Sequence, residues 1–332
     1  MRAQRIESLD GPDGLRQADV AEPQGEGQVV IDVAAAGVSF PDVLMSRGLY
    51  QMKPPLPFVP GVEVAGTVRS APPDSGFAPG ERVMAVTMLG GFAEVAAAPP
   101  ALTCALPAGF SVEQGAGFIL NYHTAHFALT RRAALVTGET VVVHGAAGGV
   151  GTAAIQVATA LGATVVGITS SREKADMARA AGADGTIDSG GDWAAEVRAL
   201  NNGRGADVIV DPVGGDRFDE SLRCLAPGGR LVVVGFTDGR IPTVAANRLL
   251  LRNISIVGAA WGAWLGGDPG LFAATAEGLQ PMIDSGAVRP VVGASYPLAD
   301  AAAALRLIDE RRAIGKVVLS LDGATEARDT PR

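Results

Sequence analysis

A strict alternation of strand and helix patterns between residues 140 and 257 is the feature that most constrains the fold of this chain. Short apolar runs rich in β-branched residues, typical of buried strands, alternate there with segments of helical periodicity. The predicted strands cover residues 140–144, 164–169, 185–188, 206–210, 230–235 and 254–257. Because strands joined through helices need right-handed crossovers, the pattern predicts a parallel, doubly wound α/β sheet.

A glycine-rich segment, HGAAGGVG at residues 144–151, stands where the first of these strands should end and a helix should begin. Ala146, Gly148 and Gly151 occupy the three positions of the pattern G-x-G-x-x-G. Gly148 and Gly149 offer bare backbone to a pyrophosphate, and Gly151 lets the helix approach the strand. The segment therefore predicts dinucleotide binding at a helix N-terminus, the alternative being a packing turn without a ligand.

The end of the second strand predicts which dinucleotide is bound. An NAD-binding fold places an acid there for the ribose 2′-hydroxyl, but residues 169–174 read TSSREK, with no carboxylate at the strand end itself. Ser170, Ser171 and Lys174 offer hydrogen bonds and charge to a 2′-phosphate, and Ser171 also suits a helix N-cap. We therefore predict NADPH as the cofactor, an assignment that Glu173 would oppose if it pointed inward.

The first 120 residues have a different pattern, in which short strands are separated by Pro-Gly turns. The predicted strands there cover residues 28–33, 62–69 and 82–87. This spacing predicts a compact, mostly β domain. Near the end of the chain, helices at 270–284 and 298–310 and a strand at 316–319 are expected to return to that domain.

Charge and cysteine content limit the partners and the location of the protein. The net charge is −8 without a Lys/Arg stripe, so nucleic acid is not expected as a partner. The N-terminus lacks an apolar signal region, and the sequence has no apolar run of about 18 residues, so we expect neither export nor a membrane span. With only Cys104 and Cys224 in the chain, we predict a reduced, cytoplasmic protein.

Metal chemistry is not expected from the residues present. A zinc alcohol dehydrogenase needs Cys, His and carboxylate ligands, and often a four-cysteine structural site. His123 and His126 share one predicted helix and His144 ends a strand, but neither a Cys nor an acid is spaced beside them. We therefore predict that no metal is bound and that the chemistry is the cofactor's own hydride transfer.

Five segments are shared with one known family: GVSFPD (37–42), PGVEVAG (60–66), AAGGVG (146–151), DPVGG (211–215) and NISIVG (253–258). They resemble the zinc-free medium-chain dehydrogenase/reductases, in the NADPH:quinone oxidoreductase (zeta-crystallin-like) branch, and the likeness covers about residues 1–320. The resemblance implies a GroES-like, mostly β catalytic domain from both chain ends, a Rossmann NADPH-binding domain, a cleft between them and a homodimer. Zinc relatives carry Gly-His-Glu where this chain has Gly61-Val62-Glu63.

The resemblance also implies domain boundaries and cofactor contacts. The catalytic domain should cover residues 1–121 and 259–322 and the nucleotide-binding domain 122–258, with a flexible tail at 323–332. The implied cofactor-binding residues are Thr124, Ala147, Gly148, Gly149, Val150, Ser170, Ser171, Lys174, Ser189, Phe236 and Lys316. Ser189 departs from a Tyr that is common in the family.

Two hydroxyl groups are the predicted catalytic groups. Tyr50 matches a Tyr of the family's substrate cleft, although a surface aromatic that caps its Pro-rich loop is the alternative. Ser39 stands where the family often has Asn, and nearby Asp42 is predicted to cap a short helix. We expect hydride transfer from NADPH to a quinone. The alternatives are reduction of the C=C bond of an enone or enoyl thioester, and a non-catalytic, crystallin-like NADPH-binding protein.

Overall fold

The structure, a computed structural model, describes residues 1–321, so the predicted tail at 323–332 lies outside the described residues. The strands of residues 1–321 are β1 (Arg2–Ile6), β2 (Leu15–Asp19), β3 (Val29–Val38), β4 (Glu63–Ser70), β5 (Arg82–Val86), β6 (Val95–Ala98), β7 (Thr103–Ala105), β8 (Thr140–His144), β9 (Thr164–Thr169), β10 (Gly185–Asp188), β11 (Ala206–Asp211), β12 (Leu225–Val233), β13 (Ser255–Gly258), β14 (Val292–Pro297) and β15 (Lys316–Ser320).

The α-helices of the same residues are mostly short. They are α1 (Phe40–Ser46), α2 (Val112–Ala116), α3 (Thr124–His126), α4 (Gly149–Ala160), α5 (Arg172–Ala180), α6 (Trp193–Leu200), α7 (Arg217–Cys224), α8 (Asn247–Arg252), α9 (Trp261–Leu265), α10 (Leu271–Asp284) and α11 (Ala301–Asp309). None of the described helices is both long and apolar enough to cross a membrane.

Backbone contacts divide the chain into two compact units. The first is Met1–Leu120 together with the described residues from Val292 onward, and the second is Asn121–Val291. The expected boundary after residue 258 differs from this division, because residues 259–291 group with the second unit. The reason is packing: α10 lies against α3 and α9, and a Cβ on Gly278 of α10 would meet the His126 ring at 2.6 Å.

The first unit is built mainly from antiparallel strands. Its larger sheet has the order β14-β15-β3-β4-β5-β7, with β6 also paired to β3, while β1 and β2 form a separate sheet. The strand predicted at 28–33 extends to Val38, because its small residues pair with β4 and β15 at once. A Cβ on Gly37 would lie 2.2 Å from the carbonyl oxygen of Ala116, so the close approach of α2 requires glycine.

The second unit is organised around a parallel sheet with the order β10-β9-β8-β11-β12-β13. All strands run parallel, but successive strands are added in one direction from β8 to β10 and in the other from β11 to β13. The position between β8 and β11 is therefore the switch point where ligands bind in doubly wound folds. The predicted α/β class and parallel doubly wound sheet are confirmed. Apolar side chains, among them Trp193 and Phe218, fill the core under β9–β12.

Two predicted elements of the second unit differ from those observed. The strand predicted at 230–235 ends at Val233, because the N–H groups of Val234 and Gly235 donate instead to the carbonyl oxygen of Asp211, at 2.9 and 3.4 Å. The predicted helix that carries His123 and His126 is not one α-helix. It consists of α3 flanked by the π-helical turns Ile119–His123 and Phe127–Arg132.

Candidate functional site

The glycine-rich turn joins β8 to α4, and Gly148 is the N-cap of that helix. The N–H of Gly148 donates to the carbonyl oxygen of Gly145 at 2.9 Å, which closes the turn. A Cβ on Gly151 would lie 2.2 Å from that same oxygen, whereas a Cβ on Gly148 would come no closer to it than 3.4 Å. Gly151 is therefore required by helix packing, while Gly148 keeps the outer surface of the turn free of side-chain atoms.

The first turn of α4 is suited to an anion. Its leading N–H groups have no intrahelical acceptor, and the helix dipole adds a partial positive charge at this end. Gly148, Gly149 and Val150 are partly exposed, while Ala147 is buried beneath them. The structure thus brings Gly148, Gly149 and Val150, the residues predicted for the pyrophosphate, together with Ala147, which is predicted to bind the cofactor. It adds Asn121, whose Nδ2 lies 2.6 Å from the position of a Cβ on Gly149, so a larger residue there would require the Asn121 side chain to move.

The residues predicted for the 2′-phosphate lie at the ends of the neighbouring strands β9 and β10. Ser171 is the N-cap of α5, and its Oγ accepts the backbone N–H of Lys174 at 3.3 Å. The Nζ of Lys174 donates to the Oγ of Ser170 at 3.4 Å. Ser189 follows β10 and is tied to β9, since its N–H donates to the carbonyl oxygen of Thr169 at 2.8 Å. The Ser170 hydroxyl and the Lys174 ammonium group therefore lie within hydrogen-bond distance of each other, and we call this region, at the ends of β9 and β10, the Ser170–Lys174 corner.

Two acids also lie near the corner. Glu173, in the first turn of α5, is exposed to solvent. Asp188 pairs in register with Thr169, and its Oδ1 accepts the N–H of Gly190 at 2.6 Å. Both carboxylates would repel a phosphate, so the preference for a 2′-phosphate depends on Lys174 and the serine hydroxyls outweighing them.

Thr124 and Phe236 also belong to the second unit. Thr124 opens α3 between the two π-helical turns and is buried. Phe236 lies in the loop after β12, where its carbonyl oxygen accepts the N–H of Gly239 at 2.8 Å. Their contacts with a nicotinamide stay predictions.

Lys316 lies in a buried polar cluster of the first unit. Its Nζ donates to Glu63 Oε1 at 2.5 Å and to Ser39 Oγ at 2.7 Å. The side chains of Lys316 and Glu63 are only 4% and 1% exposed, so the ion pair is removed from water. The second carboxylate oxygen of Glu63 accepts the N–H of Leu120 at 2.9 Å. Because Ser39 Oγ accepts from Lys316, its own O–H remains available to donate.

Asp42 is fully buried beside this cluster. Its carboxylate accepts the N–H of Ser39 at 2.9 Å and that of Gly61 at 3.1 Å. The first contact is the predicted helix cap, and the second joins α1 to the segment that precedes β4. Burial raises the pKa of Asp42 to about 7, against the opposing effect of these N–H groups and of Lys316.

Tyr50 lies in the loop after α1 and is partly buried. Burial, and secondarily the charge of Asp42, raise the pKa of its hydroxyl. The hydroxyl is therefore protonated at neutral pH and is a potential hydrogen-bond donor. The structure brings Ser39 and Lys316 into direct contact, whereas Tyr50 is related to them only through its proximity to Asp42.

The residues at the position of the catalytic zinc in relatives do not fit a metal. Val62 has no donor atom, and both carboxylate oxygens of Glu63 are engaged by Lys316 and the backbone. Burial raises the pKa of Cys104 to about 12, so that thiol is not a ready thiolate ligand. Within residues 1–321, His, Cys, Asp and Glu side chains form no group of three or more that could hold a metal ion.

Sequence analysis missed two polar partners in these sites. Glu63 enters the sequence-based prediction only as part of a shared segment, and Asn121 only as the last residue of the predicted catalytic segment 1–121. Nothing in the local pattern relates Glu63 to Lys316, which is 253 positions away. The one available signal for Glu63 was an acid in an otherwise apolar strand, which needs a buried partner.

Comparison with known proteins gives matches to both units. The family described as "Alcohol dehydrogenase GroES-like domain" matches residues 25–110, and that described as "Zinc-binding dehydrogenase" matches residues 149–275. Among curated proteins, "Quinone oxidoreductase-like protein 2" of Mus musculus is 39% identical over 302 residues, which is 90% of this chain and 86% of that protein.

Solved structures are similar over almost the full chain. A mycobacterial protein solved in complex with NADPH is 36% identical, with a TM-score of 0.89 and coverage of 96% of this chain and 99% of that one. The enoyl reductase CurK is 26% identical, with a TM-score of 0.86 and coverage of 96% and 99%. The GroES-like assignment of the first unit is thereby confirmed.

Proposed function

Because the chain belongs to the medium-chain dehydrogenase/reductase family, within its quinone oxidoreductase-like branch, we propose that it transfers hydride from NADPH to a quinone without zinc. The observation that carries this proposal is the open glycine turn beside the Ser170–Lys174 corner, which suits a dinucleotide with a 2′-phosphate. The NADPH complex of the mycobacterial relative supports the cofactor, and the names of the curated relatives support the acceptor.

The second unit would hold the cofactor. The backbone of Ala147, Gly148, Gly149 and Val150 would bind the pyrophosphate, while Ser170, Ser171, Lys174 and Ser189 would surround the 2′-phosphate. Thr124 and Phe236 are assigned to the nicotinamide side. Bound NADPH would supply the hydride and its two electrons.

Besides the predicted contact of Lys316 with the cofactor, the first unit would serve the acceptor. Lys316 donates to the Ser39 oxygen, which would polarise that hydroxyl and leave its proton free to be donated to an oxygen of the acceptor. Tyr50 offers a second protonated hydroxyl, and its loop exposes Leu49 and Leu56, which are 68% and 43% accessible and suit an apolar ring. A quinone accepts electrons readily, so hydrogen-bond donors without a metal are chemically sufficient.

Acceptor specificity tests the proposed reaction. With NADPH in excess, we expect the purified protein to reduce benzoquinones with a kcat/KM at least about tenfold above that for 2-enals of similar size. Reduction of an enal requires protonation of a carbon atom, whereas reduction of a quinone requires protonation only of oxygen. NADPH oxidation at 340 nm measures both. Tight NADPH binding without oxidation by any acceptor would instead indicate the non-catalytic, crystallin-like function.

Reduction of an activated C=C bond is the second candidate, supported by the similarity to the enoyl reductase CurK, and the Tyr50 hydroxyl would be its proton donor. That reaction needs a proton at the α-carbon, so Tyr50→Phe should lower enal turnover by about a hundredfold or more. For a quinone the loss should be only about tenfold, equivalent to one hydrogen bond. Unchanged turnover of both acceptors would remove Tyr50 from the mechanism.

Lys174 should determine the preference for the phosphorylated cofactor. We expect Lys174→Ala to raise the Kd for NADPH about 10- to 100-fold, because one charge-assisted hydrogen bond to a phosphate is lost. The Kd for NADH should stay within about twofold. Arg179→Ala is the matched control, since Arg179 lies on the same helix but pairs with Asp176 at the surface. An equal loss of affinity for NADPH and for NADH would contradict the assignment of Lys174 to the 2′-phosphate.

We also propose that the protein is a cytoplasmic homodimer. The edge strand β13 leaves one side of the parallel sheet unpaired within the described chain, which is compatible with pairing to a second copy. Sedimentation equilibrium of the purified protein tests the dimer.

A further inference from the structure

The segment DPVGG at 211–215 has no role in the reaction described above, yet it begins with a buried acid at the switch point of the sheet. Asp211 ends β11 and is 1% exposed. Its Oδ1 accepts two backbone N–H groups, from Val213 at 2.8 Å and from Gly214 at 2.9 Å. The carboxylate therefore determines the path of the loop that leaves β11.

That loop packs on the glycine-rich turn. A Cβ placed on Gly145, the first residue of the turn, would lie 3.2 Å from Val213 Cγ2 and 3.7 Å from Pro212 Cγ. The carbonyl oxygen of Gly145 is the acceptor that closes the turn through the N–H of Gly148. A shift of the 211–215 loop would therefore be transmitted directly to the backbone that is proposed to bind the pyrophosphate.

A second buried side chain, that of His144, lies at the same strand ends. His144 ends β8, and Val143 before it pairs in register with Val210, so His144 and Asp211 are neighbours across the two strands. Ser221 Oγ donates to the carbonyl oxygen of Arg217 at 2.9 Å, so His144 Nε2, 2.9 Å from that Oγ, is its donor.

The remaining nitrogen of His144 is then an acceptor. Burial lowers the pKa of His144 to about 4, so the ring is neutral at pH 7, with a bare lone pair on Nδ1. Among the described residues, neither His144 Nδ1 nor Asp211 Oδ2 has a hydrogen-bond partner. Each buried acceptor without a partner costs stability, and an amide at position 211 would replace the unpartnered carboxylate oxygen with a donor.

We propose that Asp211 is a positioning residue for the cofactor, acting through the 211–215 loop on the glycine-rich turn. This inference rests on the proposed NADPH binding. It assigns Asp211 to the part of the cofactor that NADPH and NADH share, because the turn faces the pyrophosphate and not the 2′-phosphate. Loss of the carboxylate should weaken both dinucleotides equally, unlike loss of Lys174.

The test is a fluorescence titration of the full-length protein with NADPH and with NADH, together with a thermal melt. We expect Asp211→Ala to raise both Kd values at least tenfold with an unchanged ratio between them. Asp211→Asn keeps an acceptor for both N–H groups and replaces the unpartnered carboxylate oxygen with an amide donor. It should therefore bind within threefold of the wild type and melt no lower.

The matched control is Asp207→Ala. Asp207 is also a buried acid of β11, but it lies near the opposite end of the strand, where it accepts the N–H of Thr140 at 2.9 Å. This variant should melt lower while its Kd values stay within twofold. If Asp211→Ala does not fold, Pro212→Gly loosens the same loop at a partly exposed position and should raise both Kd values at least threefold.

A folded Asp211→Ala variant with wild-type Kd values would overturn the inference, and so would an equal loss of affinity in Asp207→Ala. If Asp211→Ala does not fold, unchanged Kd values in Pro212→Gly would overturn it. A wild-type protein that binds neither dinucleotide would refute the proposed function itself, so the two failures are distinct.

Discussion

Replacing Lys316 with methionine is expected to lower the free energy of unfolding by about 3–5 kcal/mol, because Glu63 would be left buried without a counter-charge. Methionine retains much of the aliphatic stem, so the loss reports the charge more than the packing. Urea denaturation followed by far-UV circular dichroism measures it. Adding Glu63→Gln should recover most of the loss, because the neutral amide no longer needs a counter-charge while its oxygen can still accept the N–H of Leu120.

An exposed ion pair provides the control for this experiment. Arg312 contacts Glu310 at 2.9 Å, but the two side chains are 70% and 51% exposed. Arg312→Met should therefore change stability by less than about 1 kcal/mol. Equal effects of the two substitutions, or no recovery in the double variant, would mean that the buried pair is not a coupled electrostatic unit.

Alanine at Gly148 is expected to raise the Kd for NADPH and for NADH by at least about tenfold, or about 1.4 kcal/mol. The methyl group would project over the turn where a pyrophosphate must approach the backbone. Stability should fall by only about 1 kcal/mol, the usual effect of alanine at an N-cap, because the methyl group meets no atom closer than 3.4 Å. Nucleotide titration and a thermal melt separate the two effects.

Gly151→Ala is the contrasting substitution in the same turn. Its methyl group would lie 2.2 Å from the backbone oxygen of Gly145, which cannot move without displacing β8 or α4. We expect a loss of about 3 kcal/mol in stability. Wild-type affinity in a folded Gly148→Ala variant would show that the pyrophosphate does not bind at this turn.

Local patterns predicted the second unit best. The strands at 140–144, 164–169 and 185–188 are observed with the predicted bounds. The first two are short apolar runs, and each of the three is followed by glycine or serine. The edge strands β1, β2 and β14 were not predicted. Their alternation is weak, and they form because a neighbouring strand presents free N–H and carbonyl groups.

The candidate sites also differ in how much of them the sequence predicts. The turn at 144–151 and the corner at 170–174 are each contiguous in sequence, so their residues could be identified from spacing alone. The Glu63–Lys316–Ser39 cluster joins three distant segments, and the Asp211–His144 pair joins two strand ends. Neither grouping has a signature along the chain.

By itself, the sequence determined the parallel sheet, the position of the glycine-rich turn and the absence of a zinc ligand at Val62, because periodicity, glycine placement and residue chemistry are local properties. Only the tertiary structure decided which buried charges are paired, where residues 259–291 belong and which loop supports the glycine-rich turn. Those features depend on contacts between segments far apart in the chain. Such contacts stabilise the protein only after the intervening segments have packed.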